Sequence, residues 1–314
     1  MQKRQLSDTS LYTAPIIFGG NIFGWTVDEK RSFEILDAFT GSGFNAIDTA
    51  DSYSRWAPGN KGGESETIIG KWLKQKGNRD QLIIATKVGS DMGNGVDLSP
   101  KHIIASVEDS LSRLQTDYID LYQSHYDDPN TAPEESLATY DKLVKEGKVR
   151  YIGASNVTKE RIETSLQISR EKGFAAYKTL QPLYNLYDRE IFETQYQDFC
   201  AANHISVIPY YSLASGFLTG KYRSEKDLSK SQRGGGIQKY LNEKGERILD
   251  ALDKVSEAHN ATPAQVAIAW LIAQPTIAAA IASATSTTQW EDLAKSVNIQ
   301  LSESELSSLT ESSR

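Results

Sequence analysis

Residues 45–53 read N-A-I-D-T-A-D-S-Y. With Phe44 ahead of it, the apolar pair Ala46-Ile47 has the character of a short buried strand that ends on a carboxylate, Asp48, and a phenol, Tyr53, follows across a polar turn. Side chains alternate along a strand and the loop after it re-aims them, so this stretch can deliver an acid and a phenol to one rim. Taken singly, neither residue says much, because aspartate often ends a strand as a turn former and the chain holds 15 tyrosines. Two later runs end in the same fashion: residues 82–87 (L-I-I-A-T-K) on Lys87, and residues 119–125 (I-D-L-Y-Q-S-H) on His125, one of four histidines. An acid, a phenol, an amine and an imidazole thus fall at the ends of three successive strand-like runs.

Outward from this stretch, apolar runs alternate with amphipathic ones. Residues 15–18, 45–48, 82–87 and 119–124 read as strands. Between them lie helical patterns over 28–39 and 64–75 and a helix opened by Ser99-Pro100, a capping serine before a proline at the first helical position. Thr131-Ala132-Pro133-Glu134 has the spacing of a capping box for a helix running to about residue 146. Strands over 149–154, 178–181 and 205–209 follow, with helices over 158–172 and 189–203 between them. Strand starts recur about every 30–37 residues, the length of one βα unit. An eighth strand, over 276–281, begins some 70 residues after the seventh. The gap holds a long loop, residues 211–238, whose triple glycine at 234–236 predicts mobility, and a helical region over 239–273 with a capping signal at Thr262-Pro263-Ala264-Gln265. Helices over 287–297 and 302–309 come last.

Eight strand and helix pairs in one order predict an α/β fold, a closed (β/α)8 TIM barrel forming one domain over residues 1–314. A polar hairpin over residues 3–12 is expected to plug one end, and the long loop after the seventh strand to cover the other. The competing doubly wound dinucleotide fold requires G-x-G-x-x-G directly after a strand. Gly19-Gly20-Asn21-Ile22-Phe23-Gly24 does not match it, and no Lys-Ser or Lys-Thr follows to make a P-loop.

With 314 residues, 39% hydrophobic and 24% charged, the composition is that of an ordinary globular chain able to bury a large core. A net charge of −7 without clustered Lys and Arg argues against a nucleic-acid surface. The one cysteine, Cys200, cannot form an internal disulfide, and no apolar run reaches the ~18 residues of a membrane span, so a reducing, cytoplasmic setting is expected.

In such barrels the chemistry lies at the C-terminal ends of the strands, where Asp48, Tyr53, Lys87 and His125 are expected. A phenol with a pKa near 10 is a poor acid at neutral pH. An ammonium beside it favours the phenolate and lowers that pKa, and a carboxylate keeps the ammonium charged and oriented. The set is a proton donor for an oxygen that gains negative charge, with His125 aligning the same oxygen. No metal set is visible, since His102, His204 and His259 lack zinc-ligand spacing.

These residues, with F-N-A-I-D-T-A-D-S-Y, I-A-T-K, D-Y-I-D-L-Y-Q-S-H, E-G-K-V-R-Y-I-G-A-S-N, L-Q-P-L-Y-N and Y-Y-S-L-A-S-G-F-L-T-G-K-Y in one order, give nearly the whole chain a close resemblance to the aldo-keto reductase superfamily. Within it the chain resembles the bacterial branch related to potassium-channel β subunits. The resemblance implies reversible NAD(P)H-dependent reduction of an aldehyde, ketone or sugar carbonyl, with Tyr53 as general acid, Lys87 and Asp48 tuning it, and His125 positioning the carbonyl. It further implies that Ser155, Asn156 and Gln181 hold the nicotinamide carboxamide and that Tyr210 stacks on its ring. Leu213, Gly216, Leu218 and Lys221 would line the pyrophosphate path. NADP is the expected cofactor and NAD the alternative. A second reading permitted by the resemblance is a catalytically weak barrel that senses its cofactor as a binding protein. Oligomeric state is left open.

At the adenosine end, Ser283-Ala284-Thr285-Ser286 precedes Thr287-Thr288-Gln289, gathering hydroxyls and amides at a helix N-terminus suited to a phosphate, with Ser283, Thr285, Ser286 and Gln289 as candidates; an S-x-x-Q capping box explains the same residues. The chain departs from the common family pattern here: Ala282-Ser283 stands for the frequent Pro-Gly, Ser212 for a frequent proline and Leu293 for a frequent asparagine, and positions 284–288 hold no Lys or Arg. For substrate, Trp25 and Trp56 follow the first and second strands and Tyr126 follows His125. With Arg55, Asp127 and Asn185 nearby, they suit a hydroxylated ring or a polar aromatic aldehyde.

Overall fold

The alternation of short apolar runs with amphipathic helices closes on itself in the computed structural model, which describes residues 1–230 and 234–314. A small antiparallel hairpin, β1 (Arg4–Gln5) and β2 (Tyr12–Thr13), precedes the barrel. The barrel strands are β3 (Ile16–Gly19), β4 (Ala46–Asp48), β5 (Ile83–Val88), β6 (Ile119–Ser124), β7 (Val149–Ser155), β8 (Tyr177–Gln181), β9 (Ser206–Val207) and β10 (Ala280–Ala282). Among the described residues these eight pair in parallel in the order β10-β3-β4-β5-β6-β7-β8-β9. The circle closes through a parallel bridge between Val207 and Ile277, with the Ala278 N–H donating to the Val207 carbonyl at 2.9 Å. The architecture is the expected (β/α)8 barrel.

Period-two alternation decides what the barrel holds. Ile17, Ala46, Ile83, Ala85, Leu121, Ile208 and Ile281 form an apolar cluster together with Leu6 and Leu11 of the hairpin, so the hairpin plugs the N-terminal end of the barrel. Moving up the same face by two residues leads from Ala46 to Asp48, from Ala85 to Lys87 and from Leu121 to Gln123, all buried. The apolar plug thus gives way to polar groups at the C-terminal rim. The other strand face packs on the helices in a larger core that includes Phe18, Phe39, Trp72, Trp270 and Trp290.

The crossover helices are α1 (Glu29–Gly41), α2 (Glu64–Lys76), α3 (Pro100–Leu114), α4 (Pro133–Lys145), α5 (Lys159–Lys172), α6 (Gln197–Ala202), α7 (Glu243–His259), α8 (Pro263–Ile272), α9 (Thr287–Ala294) and α10 (Glu303–Ser312). Ser99 caps α3 and Thr158 caps α5, and Thr262 with Gln265 forms a reciprocal capping box on α8. The capping box expected at Thr131–Glu134 does not form. The N-cap of α4 is Ala132, and the Thr131 hydroxyl donates instead to Asp128 Oδ2 at 2.6 Å. The helix expected over 189–203 carries a π-helical turn, Phe192–Tyr196, before α6. The eighth strand, Ala280–Ala282, starts later than the expected 276–281: Thr276 sits at φ +69°, outside strand backbone, and Ile277 makes only an isolated bridge to Val207. The long loop after β9 is built from 3-10 turns at Ala214–Thr219, Glu225–Lys230 and Gly234–Gly236; its residues 231–233 lie outside the described residues. No helix among the described residues is long and apolar enough to cross a membrane.

Candidate active site

At the rim, the Lys87 ammonium donates to Asp48 Oδ2 at 2.7 Å, to the Thr49 carbonyl at 2.7 Å and to the Tyr53 hydroxyl at 2.9 Å. Its three protons are therefore all committed, and the ammonium also lies 4.5 Å from the centroid of the Tyr53 ring. Asp48 Oδ1 accepts from Gln123 Nε2 at 3.2 Å and from Gln181 Nε2 at 2.9 Å, so the carboxylate is held from both sides. The Tyr53 oxygen accepts from Lys87, and its hydroxyl also interacts with the Asp48 carboxylate. His125 is buried with its ring 5.9 Å from that of Tyr53 and stacked on Tyr126 at 4.9 Å. Its Nδ1 is buried and has no hydrogen-bond partner among the described residues.

Burial outweighs the lysine in setting the protonation states. The Tyr53 phenol lies well above the ordinary tyrosine value because burial, then the Asp48 carboxylate, disfavour its anion. This corrects the expectation that Lys87 brings the phenol down: the ammonium is itself lowered by burial, with Asp48 acting against that. Tyr53 is consequently protonated, the form a proton donor needs. His125 lies well below the ordinary histidine value, from burial and then from Lys87, and is a neutral imidazole at pH 7.

Asp48, Tyr53 and His125 open onto one cavity of about 1440 Å³, with Lys87 buried beneath it. The cavity exceeds the roughly 300–1,000 Å³ of an ordinary small-molecule pocket. It runs from Tyr53 to the N-terminus of α9, and Ser155, Asn156, Gln181, Tyr210, Leu213, Gly216 and Lys221 line it, together with Ser283, Thr285 and Gln289. Trp25, Trp56 and Tyr126 also line it, with Trp25 edge-on to Trp56 at 5.7 Å and Trp56 at 5.8 Å from Tyr53. Asn156 is fixed at φ +50° by its amide donating to the His125 carbonyl at 3.0 Å, while its Oδ1 accepts from the Tyr210 hydroxyl at 2.9 Å.

Some expected residues are placed elsewhere. The Leu218 side chain is wholly buried in the core and does not line the cavity. The Ser286 hydroxyl is spent as the N-cap of α9, accepting from the Gln289 N–H at 3.2 Å, and Gln289 Oε1 accepts from the Thr285 N–H rather than completing a box. Asp127 pairs with Arg161 at 2.8 Å, and Asn185 is buried against Asp188 and the Tyr211 carbonyl; neither lines the cavity. Sequence reasoning passed over Gln123, Tyr211 and Arg31. The signal for Gln123 was its position two residues above Leu121 on one strand face; Tyr211 and Arg31, which line the cavity, gave none.

The lining fits a nicotinamide dinucleotide: hydrogen-bonding side chains and an aromatic face at the rim, glycine at φ +101° at position 216, and hydroxyls at a helix N-terminus at the far end. A parallel barrel whose C-terminal rim joins an acid, an amine, a phenol and an imidazole at one long cleft is an enzyme-like barrel with room for a dinucleotide. The chain belongs to the aldo/keto reductase family, whose model matches residues 15–314, and is an NAD(P)-dependent oxidoreductase. Aldo-keto reductase YhdN of Bacillus subtilis (strain 168) is 34% identical over 287 residues, 88% of this chain and 82% of that protein. Protein tas of Escherichia coli (strain K12) is 30% identical over 335 residues, 98% of this chain and 96% of its own. A probable voltage-gated potassium channel subunit beta of Arabidopsis thaliana is 28% identical over 310 residues, 95% and 92% of the two chains, in keeping with the expected branch.

Proposed function

We propose that the protein reduces the carbonyl of a small aldehyde, ketone or sugar to the alcohol, with NADPH as the preferred cofactor and Tyr53 as the general acid. The observation that carries this reading is one hydrogen bond: the buried Lys87 ammonium, anchored by Asp48, donates to the Tyr53 oxygen at 2.9 Å, the contact that would stabilise the phenolate left after proton transfer. The bound cofactor supplies a hydride to the carbonyl carbon. Ser155, Asn156 and Gln181 would hold its carboxamide, Tyr210 its ring, and Gly216 and Lys221 its pyrophosphate, all of them lining the cavity. As the carbonyl oxygen gains charge, Tyr53 releases its proton to it, and Lys87, anchored by Asp48, stabilises the phenolate left behind. Neutral His125 hydrogen-bonds the same oxygen and sets its angle. Ser283, Thr285 and Gln289 would surround the adenosine phosphate, and Arg31, in the first turn of α1, which packs on α9, is a cation that lines the same cavity. The aromatic side chains Trp25, Trp56 and Tyr126 suit a hydroxylated ring or a polar aromatic aldehyde.

Tyr53→Phe tests the reading. It keeps NADPH binding and loses reduction by at least the ~10²–10⁴-fold that a positioned proton donor contributes. Wild-type turnover at assay background across aldehydes, ketones and sugars, with NADPH bound tightly, would instead identify a cofactor-sensing binding protein.

A further inference from the structure

The stretch that opens the sequence reading contains a second acid, Asp51, to which the reaction assigns no task. It is about nine-tenths buried, and its Oδ1 has no hydrogen-bond partner among the described residues. Its backbone N–H donates to the Lys87 carbonyl at 3.3 Å, which ties it to the catalytic lysine's own strand. Behind it lies Glu66 of α2, wholly buried, accepting from the Thr86 hydroxyl at 2.5 Å and from Arg113 Nε of α3 at 2.7 Å. Each cation of this cluster already has a carboxylate in contact: Lys87 has Asp48 and Arg113 has Glu66, both at 2.7 Å. Asp51 is the carboxyl left over. The charged or titratable groups acting on it are Glu66 from α2, Arg113 from α3 and Lys87 from β5, and it in turn acts on the neutral phenols Tyr122 of β6 and Tyr140 of α4. Burial first, then Glu66, push the Asp51 carboxyl up to about 7, against the pull of Arg113, of the Ser52 backbone N–H and, last, of Lys87.

Two protonation states therefore interchange near neutral pH a short way behind the Lys87–Tyr53 contact. With Asp51 neutral, the two ion pairs balance. With Asp51 ionised, an uncompensated negative charge acts at a distance on Lys87 and opposes formation of the Tyr53 phenolate. Asp51 touches neither the cavity's reacting end nor Tyr53, so any influence passes through Lys87. We propose that Asp51 is a positioning residue for carbonyl reduction: proton release from Tyr53 is fast while the Asp51 carboxyl is protonated and slow once it is ionised. This rests on Tyr53 being the acid.

The test is the single-turnover reduction rate at saturating NADPH across about pH 5.5–8.5, alongside thermal unfolding of the same proteins without cofactor. In the wild type the rate falls about three- to tenfold through a limb near pH 7, the effect of one charge acting over a few side-chain lengths at an effective dielectric near 20. Asp51→Asn, isosteric and always neutral, shows no such limb, and its unfolding midpoint no longer falls as the pH rises from 5 to 8 to the extent seen in the wild type. Glu66→Gln, which removes the neighbouring charge, moves the limb to lower pH and serves if Asp51→Asn does not fold. A limb that persists unchanged in Asp51→Asn, or one that Glu66→Gln leaves in place, overturns the proposal while Tyr53→Phe still reports on the acid. A uniform loss of rate in Asp51→Asn at every pH also overturns it, since that is what a purely structural role produces. Absence of turnover in the wild type overturns the reading of Tyr53, and this inference with it.

Discussion

Lys87 shows how tightly single residues constrain this site. All three of its protons are used, and the pair with Asp48 is sealed from solvent at 0% and 2% side-chain exposure. Removing one partner of a buried pair strands the other, which costs about 3–5 kcal/mol. Lys87→Met is therefore expected to lose roughly that much stability in urea unfolding as well as its reductase activity; unchanged stability would mean that solvent reaches Asp48. His125 gives a pH signature. Its folded-state pKa lies below the unfolded value near 6.5, so the stability it contributes is present above pH 6.5 and lost as the pH falls below it, because the unfolded chain binds the proton more readily. Between pH 7.5 and 5, His125→Gln is expected to lose less thermal stability than the wild type, and parallel losses would remove burial as the cause of the shift. Asp48, Lys87 and His125 were legible as rim residues because each ends a strand-like run, a position where a polar side chain needs explaining, and Tyr53 because it follows Asp48 across a short turn. Gln123 was not, because a glutamine inside I-D-L-Y-Q-S-H has no chemical signature until the strand's facing is known. The direction of the Tyr53 shift was misjudged for a related reason: sequence displays the neighbouring lysine but not the burial that outweighs it.

Among the elements, helix starts were legible where the candidate residue itself takes the N-cap position and misread where its neighbour takes it. Thr262 and Gln265 cap α8 reciprocally, and Thr262 Oγ1 also reaches Asp292 Oδ2 at 3.1 Å. Thr131, with the same spacing to Glu134, is captured by Asp128 in the preceding loop, a contact that no local pattern announces. Thr262→Ala is expected to cost about 1 kcal/mol, within the range of N-cap losses, as read from the denaturation midpoint. A larger effect comes from α2 on α3, where a Cβ placed on Gly70 would stand 2.1 Å from the Arg113 carbonyl oxygen, a backbone atom that cannot rotate away. Gly70→Ala gains helix propensity yet is expected to lose about 1–3 kcal/mol to overpacking. A stabilised Gly70→Ala would show that the two helices can separate without loss. Strand limits were the least legible feature, since the parallel strands are buried on both faces and their apolar runs extend past the residues that pair, as residues 277–279 do before β10.

For the molecule as a whole, the cavity joins elements distant in sequence, from Arg31 in α1 to Gln289 in α9, into one cleft. A dinucleotide filling it must stabilise the barrel by mass action: at 100 times the dissociation constant the gain is about 2.7 kcal/mol, or roughly 5 °C in unfolding midpoint for a chain of this size. The choice between NADPH and NADH depends on what meets the 2′-phosphate. Hydroxyls and amides at the α9 N-terminus are weaker partners for a phosphate than a guanidinium, and Arg31 is the arginine that lines the cavity from the neighbouring helix. Titration of the fluorescence of the five tryptophans, two of which, Trp25 and Trp56, line the cavity, is expected to give tighter binding of NADPH than of NADH. Arg31→Ala should narrow that margin by about tenfold, in line with the loss of one charge-assisted contact, while leaving NADH affinity unchanged. Equal affinities in the wild type would remove the preference for NADPH. A preference that survives in Arg31→Ala would assign the 2′-phosphate to the α9 hydroxyls instead, and the thermal shift with each nucleotide gives the same ranking without any turnover.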